Sequence, residues 1–174
     1  MNVTRTVKLG KWRDPAEEEG VYGEAATPLG NVVLVRSAAV RSDPVSAAER
    51  HERWTLTTPA GHIMDMPDFG APGVVSRRIL KRGTFGSFNG GHFEIEVTSA
   101  LIRSSRNVAM KGLSVDFTPH GLGVELCEDG RRVGLRRSGI WRLEGASVGA
   151  TLSVCLFEWA EMSYFLRTPL IRAL

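Results

Sequence analysis

Short segments in which apolar and polar residues alternate fill most of this chain. Near its end they give way to one run with no alternation at all. The clearest alternation is His92–Thr98, where Phe93, Ile95 and Val97 take one side and Glu94 and Glu96 the other. A repeat of two places successive side chains on opposite faces of a strand. Strand character is also read at residues 3–9, Asn31–Arg36, Trp54–Thr58 and His62–Met66, and on both sides of Gly83 between Val74 and Phe88. It continues through Leu101–Met110 with a turn at Ser104-Ser105, then Leu113–Phe117, Val124–Cys127, Arg132–Arg136 and Ile140–Leu143. Asn89-Gly90 is a hairpin signal, because both central residues of that turn need positive φ. Asp129-Gly130 is another tight turn, and Ser138-Gly139 separates the last two strands. About ten short strands at regular spacing predict a meandering antiparallel barrel or sandwich.

The run from Gly145 to Phe157 carries no charge between Glu144 and Glu158. Its residues tolerate strands, but an unbroken stretch over 147–166 without proline or turn pairs is too long for an ordinary strand and predicts a helix. A helix apolar on all sides is normally buried on all sides, and this one is short of the roughly 20 apolar residues a bilayer demands. Glu158 and Glu161 then share a face, Arg167 suits a helix C-terminus and Pro169 stops it. Trp141 and Trp159 are expected to face each other between the last strand and the helix. The fold class that follows is α+β, mostly β: an antiparallel, barrel-like meander around a buried C-terminal helix. Ser46–Arg53 carries a capping-box pattern and predicts a second, short helix. Arg13–Gly30 is acidic, broken by proline and glycine, and reads as loop, so residues 1–30 are partly irregular.

Length changes the picture little. At 174 residues one domain, 1–174, is expected, large enough to hold a core without disulfide or metal. The two cysteines, Cys127 and Cys155, make no disulfide framework, and Cys155 sits inside the apolar run. A reducing, cytoplasmic setting fits this usage, with no secretory signal at the start of the chain. Charge is more informative. The net charge is +3, the basic side is 18 arginines against 4 lysines, and the signs are segregated. Asp14, Glu17, Glu18, Glu19 and Glu24 make the front acidic, whereas Arg77, Arg78, Lys81 and Arg82 form one basic block and Arg131, Arg132, Arg136 and Arg137 a second.

These blocks are the best candidates for chemistry. On strands, alternate residues point the same way, so Arg78 and Arg82 are expected to share one face, and Arg132 and Arg136 are the candidates of the second block. Guanidinium forks suit phosphate oxygens. Arginines lying along solvated strand faces and covering apolar neighbours are the competing explanation. Nucleic acid is a poorer match: Phe85, Phe88 and Phe93 read as packing residues rather than stacking platforms. The glycines of Gly83–Gly91 are explained by hairpins, since no Lys-Ser/Thr follows them. His51, His62, His92 and His120 match no metal-ligand spacing, and His62 and Asp65 fall on opposite faces of an extended segment. No serine or cysteine sits in a nucleophile motif, so no cofactor, metal or catalytic residue is assigned.

The stretch Leu113–Glu144 contains Gly130-Arg-Arg-Val-Gly-Leu-Arg-Arg137 and Ile140-Trp-Arg-Leu-Glu144, followed by the apolar helix. In order and spacing it resembles the tail of tubby-like and LURP-one-related domains, and the resemblance covers about the last hundred residues. It implies a roughly twelve-stranded barrel closed around a hydrophobic C-terminal helix, and a non-enzymatic role. Relatives of that kind include phosphoinositide-binding tubby proteins and phospholipid scramblases. The expected function is a binding domain that recognises an anionic ligand, lipid head group or acidic protein surface through a basic rim of Arg78, Arg82, Arg132 and Arg136, in the cytoplasm or peripheral at a membrane surface. The alternatives are a structural component that forms homo-oligomers, its acidic front meeting a neighbour's basic blocks, and a small barrel enzyme with a pocket near the Pro59–Gly73 loop.

Overall fold

The computed structural model describes residues 5–9, 20–38, 51–71 and 73–167. Twelve strands follow one another: β1 (Arg5–Leu9), β2 (Gly20–Thr27), β3 (Gly30–Ala38), β4 (Glu52–Thr57), β5 (Ile63–Met66), β6 (Thr84–Phe88), β7 (Gly91–Thr98), β8 (Asn107–Lys111), β9 (Val115–His120), β10 (Gly123–Glu128), β11 (Arg131–Arg137) and β12 (Ile140–Leu143). Among the described residues three α-helices accompany them: α1 (Val74–Arg82) between β5 and β6, then α2 (Val148–Trp159) and α3 (Ser163–Leu166) after β12. Every pairing is antiparallel, and from β2 to β12 each strand pairs with the next. The expected mostly-β α+β meander is therefore present.

Several elements differ from the sequence-based expectation. Arg5–Leu9, within the strand expected at residues 3–9 and there read as an edge strand, pairs with both β2 and β12. Gly20–Thr27, expected as loop, is a strand paired with β3, while residues 10–19 of the acidic front lie outside the described residues. Of the short helix expected at Ser46–Arg53, residues 46–50 also lie outside them, and Glu52 and Arg53 begin β4. The first of the two strands expected around Gly83 is α1. Ser76 and Leu80, one helical turn apart, are buried, while Arg78, Lys81 and Arg82 stay exposed. Lys81 and Arg82 fall in the last turn, where cations complement the helix dipole.

The expected C-terminal helix is two helices. Glu161, with φ of 53°, breaks the run after Trp159. Ser147 caps α2 by accepting a hydrogen bond from the Ala150 amide at 3.1 Å, and Glu128 accepts one from the Ser147 amide at 3.1 Å. From Gly149 to Phe157 every residue is buried. Its hydroxyls are satisfied within the helix: Thr151 donates to the Ser147 carbonyl at 2.9 Å and Ser153 to that of Gly149 at 2.8 Å. Apolar burial on all sides requires cover on all sides, and α2 meets strands spaced around the sheet. Gly149 lies against Phe88 of β6, the Phe157 ring stacks on Phe117 of β9 at 4.3 Å and meets Trp141 of β12 edge-on at 5.9 Å, and the Trp159 indole lies against Gly23 of β2. Trp141 thus packs on Phe117 and Phe157, and Trp159 on Gly23, rather than the two indoles being stacked on each other.

Antiparallel succession sends alternate connections to opposite ends. The end where α2 begins, here the lower end, carries the turns at 28–29, 89–90, 112–114 and 129–130. The upper end carries α1, the 99–106 loop with its 3-10 turn, the 121–122 turn and the 138–139 turn. Arg77 joins α1 to the chain leaving α2: its guanidinium donates to Glu161 at 3.0 Å and lies 4.3 Å from the Tyr164 ring centroid.

Candidate functional site

The four arginines singled out from the sequence do not form one constellation. Arg78 and Arg82 share a face of α1, by helical spacing rather than strand alternation, and α1 packs beside β7. Arg132 and Arg136 belong to β11 and point in opposite directions. The β10–β11 register shifts between Leu126 and Cys127, with Cys127 opposite Arg132 and Leu126 opposite Gly134, so Val133 is an extra residue. A bulge of this kind reverses the phase of the strand beyond it. Arg132 remains outside, 3.6 Å from Glu125. Arg136 turns toward α2, where its Nε and Nη2 donate to the two carboxylate oxygens of Glu158, the latter at 3.1 Å, and Trp141 Nε1 donates to the same carboxylate at 2.9 Å. Arg136 is therefore an internal structural residue.

The bulge that withdraws Arg136 brings Arg137 forward. Ser138 and Gly139, at φ of 49° and 76°, form the two-residue turn that sets Arg137 opposite Ile140 and Leu135 opposite Arg142. On the outer face of this hairpin the two arginines lie on one diagonal and the two apolar residues on the other. Leu135, Arg137, Ser138, Ile140 and Arg142 line a cleft of about 300 Å³ at the upper end. Among the described residues neither Arg137 nor Arg142 makes an ion pair or side-chain hydrogen bond, and no carboxylate lines this cleft. Two other clefts differ. One of about 530 Å³ joins Lys81 and Arg82 to Glu94 and Glu96. Another, of about 250 Å³, holds Glu96 and Asp116 beside Lys111. None of the three draws on the Pro59–Gly73 loop. Two unneutralised guanidinium forks and a serine hydroxyl above an apolar floor can hold a phosphate or carboxylate whose substituent is apolar.

The remaining candidate chemistry is engaged in packing. His62 and Asp65 are apart: the His62 ring contacts the Asn89 amide at 2.9 Å, and Asp65 accepts from Arg53 and Thr55. His51 pairs with Asp68 at 2.5 Å, and His120 lies 3.2 Å from Glu125. Among the described residues no three histidine, cysteine, aspartate or glutamate side chains are grouped so that they could hold a metal ion. Partial burial raises the Cys127 thiol above its ordinary pKa, helped by its hydrogen bond to Glu125, and complete burial raises that of Cys155 far more. A raised thiol pKa means less thiolate at neutral pH, so slow alkylation is expected for Cys127, with Cys155 modified only once the protein unfolds. Mass spectrometry after iodoacetamide treatment, with and without denaturant, checks this; rapid native labelling of either residue contradicts it.

Sequence reasoning named Arg137 within the second basic block but chose its neighbours, and it missed Arg142. The signal was present in the Ser138-Gly139 turn, because a two-residue hairpin fixes the opposing pairs outward from it. No protein-family model, curated protein or solved structure matches the chain. Among the described residues no helix is long and apolar enough to cross a membrane.

Proposed function

We propose that this protein is a non-enzymatic binding domain whose ligand carries a phosphate or carboxylate group, held in the β11–β12 cleft between Arg137 and Arg142. The observation that carries the reading is the state of those two side chains: both are cationic, neither has a partner among the described residues, and the cleft contains no carboxylate. Arg78, Lys81 and Arg82 on α1 add positive charge to the same end and serve as attraction rather than as the binding fork. We further read the sheet as a closed barrel. In support, β1 hydrogen-bonds to β2 on one side and β12 on the other, and α2 touches β2, β6, β9 and β12. The twelve strands followed by an apolar helix also support membership of the tubby-like and LURP-one-related group as a proposal. With a helix filling its centre, such a barrel has recognition left only on its outer surface.

The test is titration with inorganic phosphate and with hexyl phosphate, followed by the backbone amide shifts of Ser138, Gly139 and Ile140. Hexyl phosphate is expected to bind more tightly, because Leu135 and Ile140 form the floor. The Arg137→Ala/Arg142→Ala variant should weaken binding about tenfold or more, at roughly 1 kcal/mol per lost cation. Equal binding by that variant and the parent protein sinks the assignment, as does a response confined to α1.

A further inference from the structure

The cleft of about 530 Å³ lies where the last turn of α1 meets the outer face of β6 and β7, and its volume suits a small molecule. Both signs of charge line it: Lys81 and Arg82 from the end of α1, Glu94 and Glu96 from β7. Burial of Phe93 and Ile95 on the inner side of β7 turns the two glutamates outward. Among the described residues neither Lys81 nor Arg82 makes an ion pair or side-chain hydrogen bond, although both carboxylates share their cleft. Glu96 is taken from its other side by Lys111 at 2.7 Å, which leaves Glu94 with the His92 ring at 3.5 Å. Phe85 stands opposite Glu94 in the β6–β7 register, is 53% exposed, and lies 5.7 Å from the His92 ring. A phenyl ring exposed beside a carboxylate suits an organic ammonium, which both groups attract.

The two sets of charge sit at different heights. Thr84 pairs with Ile95 and Phe85 with Glu94, so α1 ends near the level of Glu96. Phe85 and Glu94 lie two strand residues below that level, a separation of about 7 Å. A plain anion entering here meets Glu94 and Glu96, and a plain cation meets Lys81 and Arg82. A molecule that carries both charges satisfies both ends at once. We infer that this cleft binds a small linear zwitterion, with its ammonium between Phe85 and Glu94 and its carboxylate on Lys81 and Arg82. The spacing calls for several methylenes between the two charges, as in an ω-amino acid. The inference is independent of the β11–β12 cleft, with which this one shares no residue. For an anion bound there, Lys81 and Arg82 act only at a distance, because the two glutamates deter it from settling here.

The experiment titrates the Arg137→Ala/Arg142→Ala protein, in which the other cleft no longer competes for carboxylates. Its probes are ε-aminocaproate, hexylamine, hexanoate and glycine, and its readout is the backbone amide shifts of Gly83, Thr84, Phe85 and Glu94. The zwitterion ε-aminocaproate should bind at least about fivefold more tightly than the other three, each of which lacks one charge or the spacing. Added to that background, Glu94→Gln should lower its affinity to that of hexanoate, and Lys81→Ala/Arg82→Ala to that of hexylamine. Phe85→Leu should weaken it about two- to threefold. All four positions are exposed, so these variants are expected to keep their thermal midpoints. Hexylamine bound as tightly as ε-aminocaproate reduces the cleft to a cation site, and hexanoate bound as tightly reduces it to an anion site; either overturns the inference. Equal binding of glycine defeats the argument from spacing and overturns it as well. Unmoved amides at these four residues sink it while leaving the Arg137–Arg142 reading untouched.

Discussion

Glu158→Ala is expected to lower stability by about 3 kcal/mol, the usual scale for removing one partner of a substantially buried ion pair. Glu158 is mostly buried on α2, and its two carboxylate oxygens accept from Arg136 and Trp141. Alanine leaves the Arg136 guanidinium facing the helix without its counter-charge and strands the Trp141 indole N–H. The attraction between the charges is offset by the water each gave up, so the pair itself stabilises far less than either single loss suggests. Arg136→Met/Glu158→Leu should therefore recover most of the loss. Urea midpoints of the parent, the single variant and the double variant provide the measurement. If Glu158→Ala and the double variant fall equally, the ion pair contributes net stability and the explanation by an abandoned charge is wrong. If Glu158→Ala unfolds at the parent midpoint, Arg136 is not committed to α2, and its withdrawal from the outer surface has to be reconsidered.

The second large effect is expected at Gly23. A Cβ there would stand 2.8 Å from Cε2 and Nε1 of the Trp159 indole, well inside contact distance. Trp159 is buried and ends α2, so the ring has little room to retreat. Gly23→Val should cost about 2–3 kcal/mol as an overpacked core. Trp159→Leu in the same chain should restore part of the loss, although on its own it destabilises by leaving a cavity. This opposite effect of one change in two backgrounds is the signature to look for in thermal melts. Simple additivity of the two losses would mean that β2 does not press on α2, and with it would go part of the support for a sheet wrapped around the helix.

The arrangement that links these sites was only partly visible along the chain. Alternation identified β7, whose Phe93 and Ile95 are buried and whose Glu94 and Glu96 are exposed. The turn pairs identified the hairpins, since Asn89-Gly90 and Asp129-Gly130 adopt the positive φ that their residue types favour. Alternation failed at Val74–Arg82, where only Ser76 and Leu80 are buried and basic residues fill much of the rest. It failed again at Val133, because a bulge is a property of two paired strands and leaves no mark in one of them. That single extra residue decided which arginines of the second block meet solvent.

The amino-acid sequence by itself determined the elements that depend on local spacing and turn chemistry: most of the strands, their meandering order and the apolar helix that must be enclosed. Its charge pattern also located the block of arginines that contains Arg137. Tertiary structure alone decided the rest, namely the turn of Arg136 toward Glu158, the diagonal placement of Arg137 and Arg142 across a hairpin, and the exposure of aliphatic side chains on the connections at one end. The physical reason is the range of the interactions. Alternation and capping act between residues a few positions apart, whereas the direction of a side chain across a bulge, and the company it keeps, is set by strands and a helix that meet only when the whole sheet has formed.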